Sequence, residues 1–246
     1  MSNRDAASVL LIGVGGLGSP VALALAEAPQ LRQLTLVDPD RVELSNLHRQ
    51  ILLQAGDLGR PKVEAAADTL RLRRPRAASG ELHLAMQAVR LTAENAAALI
   101  AGHQLVIEGS DDLATKFLVS DAALACGVPA IIGGVVRWSG QLTTTWPAGA
   151  GGCYRCLFEE PPPEGSALTC QQAGVLGPAC GLIGGLMAAE ALAALGGAPR
   201  YAGTLLTVDL LAWRLRRVPI PRRADCHAHG HGPGPGQFLD SGGPRS

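Results

Sequence analysis

The sequence predicts an α/β fold: a doubly wound, Rossmann-like sheet with a C-terminal antiparallel β extension. Two observations carry that expectation. The first is the opening unit. An apolar run, Ser8–Ile12, ends in Gly13-Val14-Gly15-Gly16-Leu17-Gly18. An Ala/Leu-rich helical stretch follows to about Ala28 and closes at Pro29, and a second apolar run, Leu34–Val37, ends at Asp38. Strand, glycine turn, helix, strand and acid, in that order, open a doubly wound nucleotide-binding sheet. The second observation lies further on. Gln141–Trp146 alternates with Thr as an antiparallel strand does, and Leu205–Asp209 with Trp213–Val218 reads as a closing hairpin.

The elements between follow in order. Residues 39–59 are polar and irregular. Arg60-Pro61-Lys62 starts a helix, with Pro61 in the first turn where its missing N–H is no loss, and the helix runs to about Leu72. Leu82–Gln87 reads as a strand, Thr92 as the N-cap of a helix through Ile100, and Gln104–Glu108 as the next strand. Asp111–Cys126 reads as a helix and Ala130–Val136 as a strand. Residues 147–178 form a long Gly/Pro-rich loop region, of a length that usually signals function. Ala179–Leu195 is helical and ends at Gly196-Gly197. The tail from Gly230 is expected to be disordered. Residues 1–229 are therefore expected to form one unit, with a nucleotide-binding part over about 8–136 and a β-rich part over about 137–229.

Composition sets the outer limits. Among 246 residues, 47% are hydrophobic and 17% charged, which excludes a disordered chain. Aromatics are only 3%, so the core must be built from Ala, Leu, Val and Ile. The formal net charge of zero argues against a nucleic-acid partner, which calls for a basic excess. Arg4 and Asp5 precede an apolar run that ends in a glycine turn, which is no secretory signal. The six Cys do not read as a disulfide framework, and a cytoplasmic location is expected. Gly165–Ala189 has no charged residue, but it contains Thr169, Gln171, Gln172 and Pro178 and then meets Glu190. A buried helix after a loop fits it better than a membrane span.

Three motifs carry chemistry. Glycines at 13, 15 and 18 let backbone approach a phosphate at the positive end of a helix, and Asp38 is placed to bond a ribose hydroxyl. That signal fits NAD as well as ATP. The second motif, Ser45-Asn46-Leu47-His48-Arg49-Gln50 with Arg60-Pro61-Lys62, puts Asn46, Arg49 and Lys62 after the second strand. Hydride transfer needs no such cations, whereas a triphosphate does; a solvated polar loop is the plain alternative. The third, Glu108-Gly109-Ser110-Asp111-Asp112 with Thr115 and Lys116, sits at a strand end, where a carboxylate can hold Mg²⁺. N-capping by Asp111 or Asp112 is locally as good.

Taken in series, Gly-x-Gly-Gly-x-Gly, Val37-Asp38-x-Asp40, Ser-Asn-Leu-x-Arg-Gln-Ile, Gly-Arg-Pro-Lys and Ser-Asp-Asp-x-x-Thr resemble the HesA/MoeB/ThiF family, bacterial relatives of ubiquitin-activating enzymes. The resemblance runs from about Val9 to His229. It implies an ATP-dependent adenylyltransferase that activates the C-terminal glycine carboxylate of a small ubiquitin-like sulfur-carrier protein ending in Gly-Gly, forming an acyl-adenylate and pyrophosphate. By that resemblance Gly13, Gly15, Gly16, Gly18 and Asp38 bind the nucleotide, and Asn46, Arg49 and Lys62 contact phosphate and ribose. Asp111 supports Mg²⁺ and adenylation. The ThiF and MoeB branches serve thiamine and molybdopterin synthesis. A homodimer is implied. Three other readings remain open: a related enzyme acting on another carboxylate such as a modified tRNA base, an NAD-dependent oxidoreductase, and an inactive carrier-binding scaffold.

The resemblance also assigns cysteines. Cys153-x-x-Cys156 pairs in the family with a second Cys-x-x-Cys to hold structural zinc, and here the second half is Cys226-x-x-His229. Cys₃His is an ordinary zinc set, with His227 or His231 able to replace His229. A redox pair or a lost metal site are the competing readings. Cys170, in Thr169-Cys170-Gln171, matches a Cys implicated in handling the activated carrier or its sulfur, with a structural loop Cys as the alternative. Cys126 and Cys180 sit in apolar helical contexts and read as core.

The chain departs from the family pattern in four places. Only Met1–Ser8 precede the first strand, with Arg4 as the sole basic residue where the family has an Arg reaching the partner's ATP site. Asp112 and Lys116 stand where Asn and Arg are usual. A C-terminal rhodanese-like domain is not expected from this sequence, and sulfur is expected from a separate donor protein in trans.

Overall fold

The computed structural model describes residues 7–74, 81–149, 151–162 and 174–229. Its frame is one eight-stranded sheet in the order β3-β2-β1-β4-β5-β6-β7-β8. The strands are β1 Ala7–Ile12, β2 Leu31–Val37, β3 His83–Gln87, β4 Leu105–Glu108, β5 Ala130–Val136, β6 Ser139–Thr145, β7 Thr204–Asp209 and β8 Arg214–Pro219. The first five in chain order are mutually parallel, and β6, β7 and β8 continue the sheet antiparallel. The predicted β extension is thus a continuation of the same sheet.

Helices cover both faces, as a parallel sheet requires. They are α1 Gly18–Ala26, α2 Lys62–Arg73, α3 Ala93–Ile100, α4 Leu113–Cys126, the single turn α5 Tyr154–Leu157, and α6 Gly177–Leu195. The side chains of β1 divide accordingly. Val9 and Leu11 join a core with α1, α2 and α6, while Leu10 and Ile12 join a second core with α3 and α4. The period-2 alternation of a strand sends neighbours to opposite faces, so the continuous apolar run Val9–Ile12 is what a strand covered on both sides needs. The crossovers on either side of β1 leave its C-terminal end as the switch point, where ligand crevices form.

The described part of the long uncharged segment leads into α6, which by length and composition alone could cross a membrane. Here it is a core helix. Ile183, Met187 and Ala191 are buried, and it packs on α1, β5 and β6. Its Glu190 is 1% exposed and accepts hydrogen bonds from Thr144 Oγ1 at 2.7 Å and from the N–H groups of Arg200 and Tyr201.

Element edges differ from the expectation in places. β2 starts at Leu31, because Arg32 and Gln33 extend it beside β1 despite their polarity. α6 starts at Gly177, with Pro178 in its first turn. The loop region after β6 contains α5. Thr92 precedes α3 as predicted, and its N–H donates to Asn95 Oδ1 at 2.8 Å. Arg4, Cys170, His231 and the Gly230–Ser246 tail lie outside the described residues.

Candidate active site and metal centre

The register brings three strand ends to one level: Ile12 pairs with Val37 on one side and with Glu108 on the other. The residues that follow therefore leave the sheet side by side. The Gly13 N–H donates to Val37 O at 2.8 Å, and the Gly109 N–H to Ile12 O at 2.9 Å. Gly13 has φ +83°, and a Cβ there would stand 2.8 Å from the Ser110 nitrogen. A Cβ on Gly18 would stand 1.9 Å from Gly13 O, so Gly18 allows α1 to close onto the turn and belongs to packing behind the cleft. Gly15 is different: a Cβ there meets only Gln50 Nε2, at 3.6 Å.

This turn has the features that suit an anion. Among the described residues no side chain caps α1, and the N–H groups of Gly15, Gly16 and Leu17 have no partner. Unsatisfied N–H groups at the positive end of a helix favour a phosphate. The turn is braced by Asp38, whose Oδ2 accepts the Val14 N–H at 2.7 Å and whose Oδ1 accepts the Asp40 N–H at 2.9 Å. Burial raises the Asp38 carboxyl above its ordinary range, and the charge of Lys62 opposes that. Each oxygen keeps a second acceptor site, enough for a ribose hydroxyl.

The cations converge on the same cleft, which encloses about 200 Å³. Lys62, 5% exposed, pairs with Asp40 at 2.7 Å. Arg49 Nη2 donates to Asn46 Oδ1 at 2.7 Å, and the Asn46 amide is held by Glu43. The cleft is lined by Gly13, Gly15, Gly16, Asp38, Asn46, Arg49, Lys62 and Asp111, all but one of the nucleotide positions read from the sequence, Gly18 being the exception. Asp111 offers a carboxylate with no partner among the described residues, whereas Asp112 takes the capping role, accepting from Thr115 N at 3.0 Å. The capping reading of this pair therefore falls to Asp112, and Asp111 is left facing the cleft.

Other lining residues were not singled out in the sequence. Gln50 is 3% exposed, and among the described residues its Oε1 has no hydrogen-bond partner. A buried polar atom left unpaired beside a cleft is an acceptor that a bound ligand completes, and the donor set fits a nucleotide with a divalent cation. Arg90 and Leu91, just past β3, close the far side. Cys180 is buried as predicted and also lines the cleft.

A second cluster lies apart from the cleft. Cys153, Cys156, Cys226 and His229 place their ligand atoms within 4.8 Å of one another. The return of the chain after β8 brings them together: the Gly152 N–H donates to Ile220 O at 2.9 Å. Cys153 Sγ stands 3.9 Å from Cys156 Sγ and 3.8 Å from Cys226 Sγ. A tetrahedral ion with metal–sulfur bonds of about 2.3 Å has an edge of about 3.8 Å, so the spacing fits. Burial pushes the Cys153 thiol up to about 12. Burial also raises Cys156, but hydrogen bonds from the backbone at Arg223 and Cys153 bring it below its ordinary value. Three thiols and an imidazole at this spacing are a donor set that fits a metal ion. His227 is exposed and outside the cluster.

Comparison with known proteins agrees with this geometry. The family model described as ThiF family matches residues 3–228. The sulfur carrier protein adenylyltransferase of Thermus thermophilus is 38% identical over 239 residues, covering 95% of this chain and 86% of that protein. The adenylyltransferase and sulfurtransferase MOCS3 of Xenopus laevis is 42% identical over 224 residues, covering 90% of this chain and 48% of that protein. The chain thus spans about half the length of that relative. The crystal structure of E. coli MccB with MccA-N7isoASN has a TM-score of 0.77 at 20% identity, covering 91% of this chain and 67% of that one, a likeness of fold alone. With the family pattern matched along nearly its whole length and the cleft residues of that pattern gathered in one place, the chain belongs to the ThiF family and is an adenylyltransferase.

Proposed function

We propose that the chain uses ATP to activate the C-terminal Gly carboxylate of a ubiquitin-like sulfur-carrier protein of the ThiS or MoaD kind. The carboxylate attacks the α-phosphate, the bond to the β-phosphate oxygen breaks, and acyl-adenylate and pyrophosphate result. The observation that carries this reading is the meeting of Arg49, Lys62 and Asp111 with the unpaired N–H groups of Gly15–Leu17 in one cleft. Two anions must approach each other in this reaction, so fixed cations and dipoles aimed at the phosphates are the main requirement. A hydride transfer would leave Arg49, Lys62 and Asp111 without a role.

The residues divide the work. Gly13, Gly15 and Gly16 let the backbone approach the phosphates. Asp38 holds the ribose, and Asn46 orients Arg49. Arg49 and Lys62 offset phosphate charge; Lys62 exchanges its Asp40 partner for the nucleotide. Asp111 is the carboxylate that would hold Mg²⁺, which when bound neutralises charge on the phosphates. Cys153, Cys156, Cys226 and His229 would hold Zn²⁺ as a structural tie. Cys170 is the thiol proposed to handle the activated carrier or its sulfur. The working assembly is a cytoplasmic homodimer fed by a separate sulfur donor. One sheet running from β3 to β8 supports residues 1–229 as one functional unit.

The test is carrier-dependent ATP–pyrophosphate exchange with candidate carriers ending in Gly-Gly. Exchange with such a carrier and none without it supports the reading. Exchange driven equally well by an unrelated carboxylate sinks the carrier assignment.

A further inference from the structure

Beneath the cleft lies a buried ion pair to which the proposed chemistry gives no part. Glu108, the last residue of β4, is 0% exposed, and Lys116, in the first turns of α4, is 4% exposed. The three donors of the Lys116 ammonium are fully used: Glu108 Oε2 at 2.5 Å, Gly133 O at 2.7 Å and Ser110 O at 2.8 Å. The other Glu108 oxygen, Oε1, accepts the Ser110 N–H at 2.8 Å and also the Ser110 hydroxyl. The pair therefore grips Ser110 at its N–H, its side chain and its carbonyl.

The next residue is Asp111, whose carboxylate lines the cleft and has no partner of its own among the described residues. On its other side Asp112 is fixed by the Thr115 N–H and hydroxyl, at 3.0 and 2.5 Å. Asp111 is thus presented by its neighbours and not by its own contacts. A buried ion pair is a poor device for stability, since its desolvation cost often cancels the attraction and apolar replacement is frequently neutral. Its value lies in directed hydrogen bonds, and all of those not between the partners themselves go to the Ser110 segment and to Gly133 on β5.

We infer that Glu108 and Lys116 are positioning residues that clamp Ser110 and so fix the Asp111 carboxylate in the cleft. The inference rests on the proposed role of Asp111. The expected consequence is a loss of turnover with little loss of nucleotide binding, because the turn at Gly15 and the cations on the far wall remain intact.

The experiment compares wild type with Lys116→Arg, Lys116→Met and the double variant Glu108→Leu/Lys116→Met. Lys116→Met alone strands a buried carboxylate and can lose the fold, so the double variant is decisive. Amide hydrogen exchange over residues 109–112 is read alongside ATP–pyrophosphate exchange. In the double variant those amides are expected to exchange at least about tenfold faster while β1 and α1 keep their protection. The kcat for exchange falls at least about tenfold, with the KM for ATP changed less than about threefold. Lys116→Arg, which keeps a cation with enough donors, recovers both. Unchanged amide protection in the double variant, or wild-type kcat, overturns the clamp, as does a change confined to KM. If wild type itself shows no pyrophosphate exchange, the proposed function fails, and the amide measurement still decides whether the pair holds Ser110.

Discussion

Cys153 and Cys226, 73 positions apart in the chain, bring their sulfurs to 3.8 Å. With Cys156 and His229 they form a set that closes the C-terminal segment onto α5. The prediction is that purified protein carries one zinc ion per chain. Cys226→Ser should lose it and lower the melting temperature by about 10 °C, since loss of a structural metal costs several kcal/mol. Elemental analysis and thermal unfolding, with and without chelator, check this; a metal-free protein of unchanged stability would contradict it.

Two glycines of one turn should behave oppositely. Gly18→Ala drives a Cβ to 1.9 Å from Gly13 O and should cost more than about 3 kcal/mol of stability, or prevent folding. Gly15→Ala meets only the end of a flexible Gln50 side chain, so its stability should change by less than about 1 kcal/mol. Its ATP affinity should nonetheless fall about tenfold, because the methyl stands where a phosphate approaches. Denaturant unfolding and nucleotide titration separate the two effects.

The pH dependence of stability has a contribution of known sign. His103 donates or accepts at Thr35 Oγ1, 2.8 Å away, and its other ring nitrogen faces Leu99 O at 2.9 Å. Burial lowers its pKa below the ordinary 6.5. The folded state then resists protonation more than the unfolded state does. The stability it contributes is present above 6.5 and is lost as pH falls from there toward the lowered folded value. His103→Gln should flatten that part of the profile, measured as unfolding free energy between about pH 7.5 and 5. A profile of the same slope in the variant would remove His103 from the account.

The parts of the molecule legible in the sequence are those where chemistry admits few residues. Gly13 needs a positive φ, Gly18 needs the absence of a Cβ, and Asp38 braces the turn between them, so strand, turn and helix could be read directly. The Cys-x-x-Cys and Cys-x-x-His spacings were legible for the same reason. Burial was not. Glu108 opened the acidic strand-end motif with no separate role, and it lies buried against Lys116, a pairing set by the turn from β4 into α4. Gln50 stood inside a motif without a role until its unpaired, buried oxygen gave it one. β8 is exposed along its whole length and carries no clean alternation; its pairing with β7 defines it.

The central claim is that Asp111 and Arg49 act on one nucleotide in the cleft during carboxylate activation. The most direct measurement is carrier-dependent ATP–pyrophosphate exchange in wild type, Asp111→Asn and Arg49→Ala, with ATP binding measured in parallel. The account predicts robust exchange in wild type and a fall of at least about 100-fold in each variant, with Asp111→Asn still binding ATP. Exchange at the wild-type rate in either variant would contradict it.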